Sequence, residues 1–298
     1  MANRHFGEIG DVWKHLPLAE ILRIEKPRFY WESHAGSAFY DISRTPQRDY
    51  GVYHFLDQSA RSQLLAASAY RELLRGCEEN GQLKRYPGSP QLALSLLTQP
   101  GTHFVLCDLD PGSVSSLRAA AAGVGQAVRI EERDGIDVLR ATLQASPAAV
   151  LDSGKVFALL DPYDPFAESA AGVSSALLFA ELAAANVKVV LWYGFESWRS
   201  RLDFLARMEN VLELQEAEED KLFCAEIAPA VLSDPGFPPD SGVIGAGILC
   251  ANLSLNARTQ CEMLGHELAE VYQGAGVLEK YDGTLSFTAS RGSLPLAS

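Results

Sequence analysis

The strongest constraint on how this 298-residue chain folds is an alternation of two residue patterns. Short apolar runs rich in β-branched and aromatic residues fall at 28–32 (RFYWE), 103–107 (HFVLC), 127–131 (AVRIE), 156–160 (VFALL) and 187–192 (VKVVLW). Each is bounded by Gly, Pro or Asp and reads as a strand. Ala- and Leu-rich stretches of helical length, 112–122, 135–145 and 168–185, separate the later runs. Right-handed crossovers return each strand parallel to the last, so the pattern specifies a mostly parallel α/β sheet covered by helices on both faces. After a further helix at 197–210, two strand-like runs at 222–228 and 245–253 flank SDPGFPPDSG at 233–242, whose Gly and Pro content suits a hairpin loop. One antiparallel hairpin brings the expected sheet to seven strands.

Residues 45–99 break the alternation. They contain a helical pattern at 59–79, with Leu64, Leu65, Ala69, Leu73 and Leu74 as its apolar stripe and Asn80-Gly81 as its stop. The expected organisation is one sheet domain built from 1–44 and 100–298, with 45–99 as a small helical insertion. Five parallel strands followed by an antiparallel hairpin is the plan of Rossmann-like methyltransferases, although a fold alone leaves function open.

Charge narrows the function classes. There are 38 acidic against 25 basic residues, a formal charge of -13, and a surface of that sign repels phosphate, so a nucleic-acid substrate would need a local basic patch. The N-terminal stretch has no secretory apolar core, and no segment reaches the ~18 to 20 apolar residues that span a bilayer, so a cytoplasmic protein with no membrane partner is expected. The five cysteines, Cys77, Cys107, Cys224, Cys250 and Cys261, are scattered without a CxxC and mostly lie in apolar runs. Buried free thiols, with no metal site and no disulfide, are the expectation.

In sheets of this kind ligands bind beyond the carboxyl ends of the strands. The first strand ends in Glu32-Ser33-His34-Ala35-Gly36, a small-residue turn that lets backbone approach a cofactor. The second ends at Asp108, where an acid can accept from both ribose hydroxyls; the third is followed by Asp134-Gly135, and the fourth by Asp161-Pro162. A single Asp at a strand end is most often a helix cap. Four strand ends with an acid suit a neutral-to-cationic adenosyl ligand such as S-adenosylmethionine. A pyrophosphate cofactor fits badly, and GxGxxG is missing after the first strand. At the N-terminus, RHFGEIGDVWKH at 4–15 sets two histidines and two basic groups ahead of an amphipathic helix for which Asp11 reads as the cap.

The segments RHFGEIGDVWKH, FYWESHAGSAFY, GQLKRYPGSP, CDLDPGS, RDGIDVL, LLDPYDPF and LWYGF resemble, in order and spacing, the motifs of the RlmJ family of 23S ribosomal RNA adenine-N6 methyltransferases, along nearly the whole chain. The resemblance implies a class I methyltransferase fold, S-adenosylmethionine as cofactor and a monomer or weak oligomer. It implies cofactor contacts at His15, His34, Ala35, Gly36, Ser89, Asp108, Asp134, Gly135 and Asp161. Asp161-Pro162 match the start of the catalytic Asp-Pro-Pro-Tyr element, Lys14 matches the active-site lysine, and His5 joins it from the N-terminal segment. The insertion is similar to the family's RNA-gripping subdomain.

Such an element holds an amine with the Asp oxygen and a following carbonyl, which pulls the nitrogen toward a tetrahedral shape, while the fourth-position aromatic stacks on the base. This chain departs from it: the third position is Tyr163, the fourth is Asp164, and the stacking ring is either Tyr163 or Phe166. Asn3 replaces a family Tyr, and the segment 6–11 is shortened. The differences all fall on the acceptor side. Two acceptors stay open, an adenine of ribosomal RNA and a small molecule or peptide; a cofactor-binding protein without catalysis is a third reading.

Overall fold

The computed structural model describes residues 5–215, 218–229, 245–273 and 285–295. The loop expected at 233–242 and the positions Asn3 and Arg4 lie outside the described residues. The central sheet contains eight strands in the order β8-β6-β7-β5-β4-β1-β2-β3. They are β1 Phe29–Glu32, β2 His103–Cys107, β3 Ala127–Glu131, β4 Val156–Leu160, β5 Lys188–Phe195, β6 Leu222–Pro229, β7 Gly245–Ala251 and β8 Leu285–Arg291. The first five are mutually parallel. β7 runs antiparallel to β5, and β6 antiparallel to both β7 and β8.

The core explains why the first runs read so plainly. Every residue of VFALL in β4 is buried because helices cover both faces, so the strand has no polar side. Phe157 and Leu159 join one apolar cluster, and Val156, Ala158 and Leu160 the other. The first face carries α1 (Ile9–Glu25), α2 (Ser89–Leu96), the C-terminal helix and the insertion; the second carries α4 (Gly135–Ala145), α5 (Ser175–Ala184) and α6 (Trp198–Leu214). Between them α3 (Pro111–Ala121) follows β2, and α7 (Leu255–Val271) is that C-terminal helix.

Four expectations change. The sheet has eight strands instead of seven: LSFTASR alternates apolar and polar residues at the sheet edge, a weak pattern that 222–228 completes by pairing with it. The helix expected at 59–79 is broken into Ser59–Arg61, Gln63–Ala66 and Ala69–Arg75, because the hydroxyls of Ser62 and Ser68 accept from the amides of Leu65 and Arg71 and start new helices. Asn80-Gly81 is a hairpin turn, with φ of 51° and 72°, joining Glu78–Glu79 to Gln82–Leu83. The insertion packs onto α1 and α7: Glu20 Oε1 accepts from the Ala69 amide at 2.7 Å, and the Tyr272 hydroxyl donates to the Gly51 carbonyl at 2.9 Å.

Asp11 does not cap α1. Glu8 holds the N-cap position with no side-chain capping bond, and Asp11 lies in the first turn facing inward. That helix crosses the sheet with Trp13 fully buried, its indole donating to the Ala225 carbonyl at 3.3 Å. The crossing brings its first turn to the carboxyl ends of β1 and β4.

Candidate active site

A cavity of about 780 Å³ opens at those carboxyl ends. Its floor on one side is the β1 turn. Gly36 has φ of 63°, a left-handed conformation that favours glycine, and its amide donates to Asp108 Oδ2 at 2.7 Å. Asp108 Oδ1 accepts from the Asp110 amide at 2.8 Å, so this carboxylate ties the turns after β1 and β2 together while lining the cavity. Gly135 opens α4 so close to β1 that an added Cβ would stand 1.8 Å from the Ser33 carbonyl oxygen. Asp134 caps that helix, with Oδ1 accepting from the Ile136 amide at 2.9 Å, and also lines the cavity. His34 shares a 2.7 Å contact between its Nδ1 and Ser33 Oγ, and burial lowers its pKa.

Beneath this floor lies a buried polar knot. Ser89 of YPGSP donates its hydroxyl to Glu32 Oε1, and Tyr30 donates to Glu32 Oε2 at 2.9 Å. Glu32 is fully buried, and burial pushes its carboxyl up to about 8. The knot fastens the start of α2 to the end of β1, which sets Ser89 on the cavity wall.

The other side of the cavity is ionic. Lys14 Nζ lies 2.7 Å from Asp161 Oδ2 and 2.9 Å from Asp11 Oδ1, with all three side chains largely buried. One ammonium between two carboxylates cannot fully compensate both. Asp11, which also accepts from the Gly7 amide at 2.8 Å, stays ionised well below the usual carboxylate range. Desolvation raises Asp161 in spite of its lysine partner, and the two acids hold Lys14 firmly protonated. His15, next on α1, is buried with its pKa lowered to about 4. Its Nδ1 lies 2.9 Å from the Tyr86 hydroxyl, while Nε2 has no hydrogen-bond partner and the residue lines the cavity.

Nearly all the expected residues gather here. His5, Lys14, His15, His34, Ala35, Gly36, Ser89, Asp108, Asp134, Gly135, Asp161, Pro162 and Tyr163 line one cavity, although they span nearly 160 positions. Phe166 is the exception. Its ring packs 5.7 Å from Phe204 with the Arg207 guanidinium 3.7 Å from its centroid, and it does not line the cavity. Asp164 fixes this arrangement by accepting from the Phe166 amide at 2.9 Å. Tyr163 is fully exposed at the mouth, and His5 is an exposed rim residue 3.1 Å from Glu8 Oε1.

Asp11 and Trp192 also line the cavity, and neither is given a site role in the sequence reading. Asp11 was hidden by its resemblance to a cap; the signal that finds it is the spacing 11, 14, 15, which places Asp11, Lys14 and His15 on one face of a helix. Trp192, on β5, reads as ordinary strand, yet it lines the cavity beside Lys14.

The chain is similar to known proteins. The family model described as "RsmJ: Ribosomal RNA large subunit methyltransferase D, RlmJ" matches residues 25–266. The Escherichia coli (strain K12) protein named Ribosomal RNA large subunit methyltransferase J is 30% identical over 148 residues, 47% of this chain. The chain spans about half the length of that relative, 51%. A crystal structure of a Legionella pneumophila str. Philadelphia 1 protein superposes with a TM-score of 0.72 over 97% of this chain and 99% of the other, at 20% identity, a likeness in fold alone. With a family model matched over most of its length, the chain belongs to the RlmJ family of ribosomal RNA large subunit methyltransferases.

Proposed function

We propose that the chain transfers a methyl group from S-adenosylmethionine to the exocyclic amine of an adenine in large-subunit ribosomal RNA. The observation that carries this reading is the Asp161-Lys14 pair at the end of β4, 2.7 Å apart, in the same cavity as the Gly36-Asp108 floor. Family membership supplies the reaction class.

The residues present fit an adenosyl sulfonium. Among the described lining residues there are seven carboxylates, Glu8, Asp11, Asp108, Asp110, Asp134, Asp161 and Glu196, against Lys14 and Arg133, a balance that favours a cation. His15 Nε2 is buried without a hydrogen-bond partner, 3.7 Å from Asp11 Oδ1, on a residue that lines the cavity. His15, His34, Ala35, Gly36, Ser89, Asp108, Asp134 and Gly135 would hold the cofactor, which when bound supplies an electrophilic methyl on a sulfonium.

This chain's own residues then do the orienting. The Asp161 carboxylate accepts one hydrogen of the acceptor amine, and Pro162 fixes the backbone of the turn that follows. Lys14 holds Asp161 in place from α1 and keeps its charge compensated as the amine approaches. Tyr163 and His5 cover the acceptor from the mouth, and the insertion 45–99 grips the RNA around it. Catalysis is orientation and electrostatics, with no covalent intermediate on the protein. An adenine within RNA structure must be turned out of its stack to reach Asp161. Action on ribosomal RNA implies a cytoplasmic protein, and every group invoked comes from one chain; no described helix is long and apolar enough to cross a membrane.

A small-molecule acceptor is the second reading, favoured by the same acidic lining, which repels RNA phosphate. Incubation with methyl-labelled cofactor and either unmodified ribosomal RNA or a small-molecule extract separates the two. Label in RNA, lost in Asp161→Asn while cofactor binding by calorimetry persists, supports the first; label only in the extract supports the second.

A further inference from the structure

We infer that Trp192 is the aromatic surface on which the acceptor base stacks, replacing the ring that the tetrapeptide has lost at Asp164. The inference rests on methyl transfer to a planar nucleobase as proposed above.

The rewritten tetrapeptide leaves the acceptor without a prepared platform. Asp164 has no ring, Phe166 is pinned between Phe204 and Arg207 outside the cavity, and Tyr163 stands fully exposed. The other rings of the cavity are engaged: Phe6 and Tyr40 stack on each other at 4.6 Å with Arg48 4.0 Å above Phe6, and Tyr50 is 3% exposed.

Trp192 carries a ring, lines the cavity and is neither fully exposed nor fully buried. The parallel register pairs Leu160 with Leu191, so Trp192 stands beside Asp161 at the point where β4 ends and β5 continues. It is part-buried, packs on the α1 face of the sheet and lines the cavity. Its indole is fixed: Nε1 donates to the Gly10 carbonyl at 3.3 Å, and a Cβ added at Gly10 would lie 3.5 Å from the ring. Lys14 Nζ, bonded to Asp161, lies 5.5 Å from the ring centroid. One ammonium therefore locates both the group that takes the amine hydrogen and the ring that takes the base face. A preset ring loses little entropy on stacking, unlike the free side chain of Tyr163.

The test is steady-state methyl transfer by the full chain with unmodified large-subunit ribosomal RNA, comparing Trp192→Leu with Trp192→Phe. Base stacking on a single aromatic is worth about 1–3 kcal/mol, so Trp192→Leu lowers kcat/KM for RNA by roughly 5- to 150-fold. Trp192→Phe restores most of it, and calorimetric affinity for S-adenosylmethionine changes less than about twofold in either variant. Trp192→Leu with wild-type kcat/KM overturns the inference. If wild-type protein transfers nothing to RNA, or Trp192→Leu does not fold, the measurement is indole emission under adenosine titration with saturating S-adenosylhomocysteine, wild type against Trp192→Phe. Quenching seen only when Trp192 is present supports stacking independently of the RNA reading; equal emission changes in both proteins refute it.

Discussion

Lys14→Met removes the ammonium from between Asp11 and Asp161, at 2.9 and 2.7 Å, and keeps an apolar stem of similar length. The carboxylates it leaves are 10% and 16% exposed, so their charge is poorly solvated. Breaking a buried pair by deleting one partner costs about 3–5 kcal/mol. At about 2 °C per kcal/mol for a chain of this size, Tm should fall by roughly 6–10 °C at pH 8. The loss depends on pH in a stated direction. Lys14 lowers Asp161 against the desolvation that raises it, so without Lys14 the folded pKa climbs further above the unfolded one. The folded state then keeps a proton that the unfolded chain releases, and the variant loses about 1.4 kcal/mol per pH unit as pH rises from about 4 to the folded pKa. Scanning calorimetry from pH 5 to 8 reads both effects, with the smaller deficit at pH 5. A deficit that is independent of pH, or below about 1 kcal/mol throughout, would refute the buried ionic triad.

Three further changes probe the site through stability and binding. Glu32, with its folded pKa raised to about 8, holds a proton on folding, so its contribution is present at low pH and lost as pH rises from 4.5 through 8; Glu32→Gln should flatten that alkaline decline in a melting series. His15 has the opposite sign: its folded pKa of about 4 lies below 6.5, so stability falls by roughly 3 kcal/mol as pH drops between those values, and His15→Asn should lack this acidic limb. Gly135→Ala places a methyl 1.8 Å from the Ser33 carbonyl oxygen, so α4 must move from β1; calorimetry should show cofactor binding weakened by at least tenfold, and an unchanged affinity would separate that contact from the cofactor site.

Much of the framework was legible because burial leaves a strong residue pattern. The strands at 103–107, 127–131 and 156–160 begin and end in the structure where their flanking Gly, Pro and Asp put them. Legibility failed where a local signal had two meanings. Ser62 and Ser68 sit in a helical stripe, yet their hydroxyls open new helices. Asp11 resembles a cap, and only the fold brings it, through Lys14, to a carboxylate 147 positions away from that lysine. The same limit applies to DPYDPF: its first two residues can be placed at the strand end from sequence, but that Tyr163 and not Phe166 lines the cavity depends on Phe204 and Arg207 of a later helix. Trp192 was invisible for a related reason, since its role is set by strand register and by Gly10 at the start of α1.

The most direct measurement is nucleoside analysis of large-subunit ribosomal RNA after incubation with the protein and methyl-labelled S-adenosylmethionine, using RNA from cells that lack the corresponding methylation. Label is expected in N6-methyladenosine, at one position of the RNA, and none with Asp161→Asn. Label in any other nucleoside, or RNA left unlabelled while a small molecule takes up the methyl group, would contradict this expectation.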